Sequence, residues 1–149
     1  MREIIFRGKQ RNLAHEQFPQ KYPNREREFV YGTGVYDDGV NLWLILENGE
    51  NKPFSQLKST IIDPDTLGQF SGLRDNKRTA EFPEGQRIFK GDLFNFDGGI
   101  ARVEWCNDLA CYLAVFADEN DVMLHAISHR CAVIGNIHEH RNLLGGEVD

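Results

Sequence analysis

The stretch IFKGDLFNFDGGIARVEW, residues 88–105, decides the fold, because turn residues and apolar runs follow each other in it with almost no slack. Lys90-Gly91-Asp92 leads into one apolar run, and Asp97-Gly98-Gly99 separates that run from the next. In the second run Val103 and Trp105 alternate with charged side chains, which separates the two faces at the period of a β-strand. The stretch therefore predicts a β-hairpin.

The residues that follow predict more strands of the same kind. Apolar runs occupy 111–116, 122–124 and 132–137, and polar turns at 107–108 and 118–121 separate the first of them from their neighbours. Four or five short antiparallel strands joined by tight turns are typical of a small meander or barrel.

The N-terminal half, residues 1–73, is predicted to be an antiparallel β subdomain. Its predicted strands are 2–9, 29–32, 40–46 and 59–62. The 40–46 strand is apolar on both faces, so we expect it to be central and covered on each side. A polar, proline-containing connector at 74–87 precedes the C-terminal subdomain, 88–144. The protein is thus expected to be mainly β.

Residues 10–28 differ from the rest in being polar and almost without periodicity, and they are predicted to form a long loop or arm. The basic cluster of the chain lies in and just before this arm and comprises Arg7, Lys9, Arg11, Lys21, Arg25 and Arg27. Neighbouring glutamates partly cancel it, so a solvated loop is favoured over a binding patch. The net charge of −6 also argues against a chain-wide attraction to nucleic acid or anionic lipid.

Length and composition place the chain among single-domain cytoplasmic proteins. With 149 residues, 40% of them hydrophobic, it has enough apolar material to bury a core. The first residues lack the apolar core of a signal peptide, and no window approaches the roughly 18 apolar residues of a membrane span. No membrane association is expected.

The cysteines and histidines predict neither a metal site nor a cofactor. Cys106, Cys111 and Cys131 form no C-x-x-C pair and are expected to be free thiols, although the first two would face each other across the 107–108 turn. A zinc site would need His125, His129, His138 and His140, or help from Cys131, to converge, and surface histidines are favoured. No nucleophile motif is present, so no enzyme is predicted and no catalytic residue is assigned.

Five residues are singled out instead for turns and for a possible binding groove. Gly91 permits a positive φ or a close backbone approach, and Asp92 can accept hydrogen bonds from the amides beyond it. Gly135 is expected to act similarly where a late strand bends. Trp105 and Tyr112 belong either to the core or to an aromatic groove, and the core is favoured.

Five motifs resemble, in order, the successive signatures of the YopX family. They are MREIIFR at 1–7, GQFSGLRD at 68–75, IFKGDL at 88–93, VEW at 103–105 and VIGNIHE at 133–139. The resemblance implies a bacteriophage or prophage protein of the bacterial cytoplasm, whose C-terminal part is an SH3-like small β-barrel, and it implies no established activity. The chain departs from the family in a longer link at 79–85 and in its 10–27 arm.

Two functions from different classes follow. The first is a non-enzymatic interaction module that docks a host or phage protein, or another copy of itself. The alternative is a nucleic-acid-associated accessory factor that uses the arm from Arg7 to Arg27, and the acidic net charge favours the first. Self-association is expected if the uncharged runs 40–46 or 113–116 lie at sheet edges or expose one apolar face, because a second copy would then cover them.

Overall fold

The computed structural model describes residues 3–25, 27–46 and 57–143. Their structure is mainly β, with antiparallel pairing throughout, which confirms this part of the prediction. The chain divides into two compact units, Ile4–Gln69 and Met1–Glu3 with Phe70–Asp149. Within the described ranges, no helix has the length and apolar character needed to cross a membrane.

The unit of residues 4–69 contains two groups of antiparallel strands. Its elements are β1 (Phe6–Lys9), α1 (Leu13–Gln17), β2 (Phe29–Gly32), β3 (Gly34–Asp37), β4 (Leu42–Ile45), β5 (Ser59–Ile62), a 3-10 turn at Pro64–Thr66, and the start of β6 (Gly68–Arg74). One group has the order β3-β4-β5, and in the other β1 pairs with β2 and with the start of β6. Leu44 and Ile62 are fully buried in this unit.

The expected arm and the link between the predicted strands 29–32 and 40–46 are both more structured than predicted. Within 10–28, α1 forms because the Asn12 side chain accepts a hydrogen bond from the His15 amide and caps the helix. Between the predicted strands 29–32 and 40–46, the chain forms β3, which pairs with β4. The polar composition of 10–28 and the glycines around β3 concealed these short elements.

The unit of residues 70–149 is built on a five-stranded antiparallel sheet. Besides the end of β6 it contains β7 (Arg87–Phe89), β8 (Asp92–Phe96), β9 (Gly99–Cys106), β10 (Cys111–Phe116), β11 (Asp121–Met123), α2 (Leu124–Ile127), a 3-10 turn at Ser128–Arg130, β12 (Val133–Asn136) and a 3-10 turn at Arg141–Leu143. The sheet has the order β11-β10-β9-β8-β12, and β7 pairs with β6. Among the described strands no pairing joins β11 to β12, so the sheet is not closed into a barrel.

The β8–β9 hairpin follows directly from its turn sequence. Phe96 pairs with Gly99, so Asp97 and Gly98 alone form the loop. Their φ angles of 53° and 83° are the two positive values that a two-residue hairpin turn needs, and Asp-Gly is a favoured sequence for it. The strands then place alternate side chains in one core, formed by Ile88, Phe94, Ala101, Val103, Ala114, Leu124, Ile127 and Cys131.

Neither β4, which forms in the 40–46 run, nor β10, which contains the 113–116 run, lies at a sheet edge. β4 pairs with β3 on one side and β5 on the other, as its central role required. β10 likewise lies between β9 and β11. The edge condition for self-association is therefore not met, because β4 and β10 each have two neighbouring strands. Self-association itself stays a prediction.

Candidate functional site

An exposed aromatic pair lies at the end of the β9–β10 hairpin. Trp105 is directly opposite Tyr112 in the strand register, and their rings meet edge to face with 5.0 Å between centroids. Trp105 is 45% exposed, so the prediction that it belongs to the core is wrong. Ala101 and Val103 fill the core from the same face of β9, and Trp105 lies one step beyond it. Tyr112 packs against the core and contacts the indole ring of Trp105.

The hairpin turn holds the indole in place and adds apolar surface. Trp105 Nε1 donates a hydrogen bond of 2.7 Å to Asn107 Oδ1. Leu109 in the same turn is 55% exposed. Ala110 has a φ of 51°, in the left-handed region, which turns the chain back into β10. The indole thus contacts Tyr112 and makes one hydrogen bond, to Asn107, while 45% of the residue's surface stays exposed and open to a partner.

A groove with four acidic residues adjoins this tryptophan, and one of them, Glu104, projects from the face of the β9–β10 pair opposite to the Trp105 ring. A groove of about 400 Å³ runs beside it and is lined by Glu104, Trp105, Cys106, Asn107, Asp108, Leu113, Val115, Glu119 and Asp121. We call Trp105 with its four acidic neighbours, Glu104, Asp108, Glu119 and Asp121, the acidic aromatic surface. Leu113 and Val115 form an apolar floor between the acids, since both are buried.

One arginine compensates only part of this negative charge. Arg102 Nε donates to Glu104 Oε1 at 2.7 Å, and its Nη2 lies 3.3 Å from Glu119 Oε2. The hydrogen bond to Glu104, with the attraction of both carboxylates, raises the pKa of the guanidinium. Arg102 thus pairs with two of the four acidic residues, and the surface keeps an excess of negative charge.

The predicted turn at Lys90-Gly91-Asp92 is held from several sides. Gly91 has a φ of 91°, its amide donates to Val103 O at 2.9 Å, and its carbonyl accepts from the Ile137 amide at 2.8 Å. The buried carboxylate of Asp92 accepts from the Phe89 amide at 2.8 Å, an amide that precedes the turn. This arrangement positions β8 between β9 and β12.

The family comparison matches most of the chain. The family model described as YopX protein matches residues 21–145. The chain belongs to the YopX family. This confirms the resemblance given by the five motifs. No curated protein matches the chain at a significant level.

The last YopX motif, VIGNIHE, forms a compact cap after β12. A bulge between Val133 and Gly135 interrupts the pairing with β8. Gly135 does not have a positive φ; it is needed because a Cβ there would lie 2.6 Å from His140 Nδ1. Buried Asn136 accepts from the amides of His138 and Glu139, both at 3.0 Å. The motif is thus a structural device in this YopX chain.

The histidines and the buried cysteine are not brought together. His125 lies in α2 and His129 in the following 3-10 turn, while His140 lies beyond β12 and accepts from the Asn136 amide. Cys131 donates its thiol to Ile127 O. Throughout the described part of the chain, no three His, Cys, Asp or Glu side chains are grouped so that they could hold a metal ion.

The basic cluster of the arm is largely engaged within its own unit. Arg11 makes a two-pronged ion pair with Glu16 at 2.6 and 3.0 Å, which raises the pKa of Arg11 and lowers that of Glu16. Arg7 and Lys9 lie over the ring of Phe29. Lys21 lies over Tyr22, and Arg27 donates to Asn12.

Sequence reasoning missed the acids of the groove and the buried Asp75. Glu104, Glu119 and Asp121 come from different strands and turns, so only the register of the sheet brings them together. Asp75 lies in the YopX motif GLRD, and its signal was the position of a lone acid directly after an apolar strand. It is 5% exposed and has no role in the groove.

Proposed function

We propose that this YopX chain is a non-enzymatic protein-interaction module of a bacteriophage or prophage, acting in the bacterial cytoplasm. Its acidic aromatic surface docks a basic, Lys- or Arg-bearing segment of a partner protein. The observation that carries the proposal is the half-exposed Trp105, held by Tyr112 and Asn107, beside an excess of carboxylates.

The chemistry of this surface suits a cation. The face of an indole attracts ammonium and guanidinium groups, and the carboxylates of the adjoining groove add long-range attraction. Tryptophan is also among the residues that contribute most to protein interfaces, since it buries a large area at a small entropic cost. Because Trp105 already packs against Tyr112, its side chain loses little conformational entropy when a partner binds.

The finer fold that we propose for the C-terminal sheet is an SH3-like small barrel that stays open between β11 and β12. Its support is the strand order, in which β8 to β11 form a meander and β12 returns to pair with β8. A 3-10 turn at Ser128–Arg130 directly precedes that last strand. In this arrangement the turns between strands, including the one that follows Trp105 and the end of β9, are the natural contact loops.

Peptide binding tests the proposal directly. Fluorescent peptides rich in lysine and arginine are titrated with the protein at low salt, and fluorescence anisotropy is measured beside a matched peptide carrying glutamine at the basic positions. We expect micromolar binding of the basic peptides only. Trp105→Ala should weaken it at least tenfold, whereas Tyr36→Ala, which removes an exposed aromatic ring from the other unit, should leave it unchanged.

Charge variants and nucleic acid complete the test. Asp108→Asn with Asp121→Asn should weaken binding and flatten its salt dependence. Equal binding by the glutamine peptide, or no loss in Trp105→Ala, would overturn the proposal. Duplex DNA, single-stranded DNA and RNA are titrated in parallel, and a steeply salt-dependent shift that is lost in Arg25→Ala with Lys21→Ala would favour the nucleic-acid alternative instead.

A further inference from the structure

Two free cysteines lie directly opposite each other at the end of the hairpin. Cys106 and Cys111 form the last pair of the β9–β10 register before the turn. Both are partly exposed, so a dissolved reagent reaches them. Side chains that are directly opposite in an antiparallel pair project from the same face of the sheet.

The hydrogen bonds of the neighbouring strands define which kind of pair this is. Val103 O accepts from Gly91 on the β8 side, and Phe116 N donates to Asn120 on the β11 side. Successive residues of a strand direct their backbone N–H and C=O groups to opposite neighbouring strands. Counting from Val103 and from Phe116, the backbone groups of Cys106 and Cys111 point towards each other, so the two residues form a hydrogen-bonded pair. Such a pair has Cα atoms about 5.5 Å apart, within the range that a disulfide spans.

The same geometry makes the bond easy to reduce again. Cβ atoms of directly opposite residues lie about 4.5–5.5 Å apart, whereas a relaxed disulfide has them at about 3.8 Å. Closing that gap strains the bond, and strained, exposed disulfides have the more oxidising potentials typical of reversible switches. A permanent structural crosslink would need a closer pair.

We propose that Cys106 and Cys111 are a modification site that forms a reversible disulfide by exchange with a low-molecular-weight disulfide such as glutathione disulfide. One cysteine thiolate attacks a sulfur of the reagent, and a glutathione thiolate leaves. The second cysteine thiolate attacks the protein sulfur of that mixed disulfide, and the second glutathione leaves. Two protein thiols lose their protons and are oxidised together, and one glutathione disulfide is reduced to two thiols.

Cys131 supplies an internal reference for this site. It is 2% exposed, and its thiol donates to Ile127 O at 3.2 Å. Burial raises the pKa of this thiol, so the reactive thiolate is disfavoured. The site proposed here does not depend on the proposed function. Cys106 also lines the groove beside Trp105, so its oxidation would change the surface of that groove.

Mass spectrometry of the intact protein tests the proposal. The full chain is incubated in glutathione redox buffers of graded potential, quenched with an alkylating agent and digested. We expect a monomer that has lost two hydrogen atoms, a peptide crosslink between Cys106 and Cys111, and one alkylated thiol at Cys131. The bond should be fully reversed by excess reduced glutathione.

Single variants distinguish the crosslink from ordinary glutathione addition. Cys106→Ser and Cys111→Ser remove exposed thiols and should each stop at a stable glutathione adduct, accumulating at least tenfold more of it than the wild type. Cys131→Ala should oxidise as the wild type does. Wild-type protein that accumulates adducts at both positions without a crosslink, or that crosslinks only between chains, would overturn the proposal.

Discussion

The carboxylate of Asp75 accepts a hydrogen bond of 2.8 Å from the backbone amide of Val133, a residue 58 positions later in the chain. The same carboxylate accepts from the amides of Lys77 and Gln86 and from the Gln86 side chain. A single buried anion therefore connects the end of β6, the start of β7 and the start of β12. Four donors compensate for its removal from water.

Replacing this anion should destabilise the unit of residues 70–149. Asp75→Asn keeps the shape but turns an amide group towards donors, so we expect the free energy of unfolding to fall by about 2–4 kcal/mol. Urea denaturation measures the change. As a control, Asp65→Asn replaces an exposed aspartate of the other unit and should change stability by less than about 0.5 kcal/mol. Equal losses in both variants would mean that the four hydrogen bonds accepted by Asp75 do not stabilise the fold.

Trp105 should contribute little to stability despite its size. It is exposed and packs mainly on Tyr112, so Trp105→Ala should cost about 1 kcal/mol. Phe94→Ala, which empties a site that is 1% exposed, should cost about 3–5 kcal/mol. Thermal melting of both variants decides the matter, since a large loss in Trp105→Ala would return this residue to the core.

Gly91 should tolerate no side chain. Gly91→Val combines a φ of 91° with new contacts to Ile137 and His138 at about 3.5 Å, and both backbone groups of Gly91 are already bonded. We expect a loss of about 2–3 kcal/mol. Gly39 has a similar φ of 89° but nothing within 4 Å, so Gly39→Val isolates the conformational strain and should cost less. Similar losses would mean that the surroundings of Gly91 are unimportant.

Asp38 should make the β3–β4 turn sensitive to acid. Its carboxylate accepts from the Asn41 amide at 2.6 Å, from Trp43 Nε1 at 2.9 Å and from the Val40 amide at 2.8 Å, and these bonds lower its pKa. A pKa that is lower in the folded state gives stability that is present above the unfolded value, about 3.9, and is lost as the pH falls through the folded value. Melting temperature measured against pH should show this loss, and Asp38→Asn should flatten the curve below pH about 4.

The predictable features were those encoded in neighbouring residues. The Asp97-Gly98 turn, the alternation along β9 and the central position of β4 follow from local turn chemistry and period. Alternation along a strand predicts which face of the sheet a side chain lies on, but not how deeply it is buried. The prediction that Trp105 belongs to the core was therefore wrong, although the face was right. The groove acids and the partners of Asp75 depend on long-range register, which no local pattern contains.

The pairing of Phe6 with Gln69 means that the unit of residues 4–69 begins and ends on neighbouring strands. Because its two ends lie close together, this segment can be inserted between two neighbouring residues of the other unit, as a short loop would be. Domain insertions are tolerated at such positions. Genetic recombination at these two points could therefore exchange the whole segment while the path from Glu3 to Phe70 stays short. In genomes that recombine often, this boundary would let one half of the protein diversify while the half that carries Trp105 is inherited unchanged.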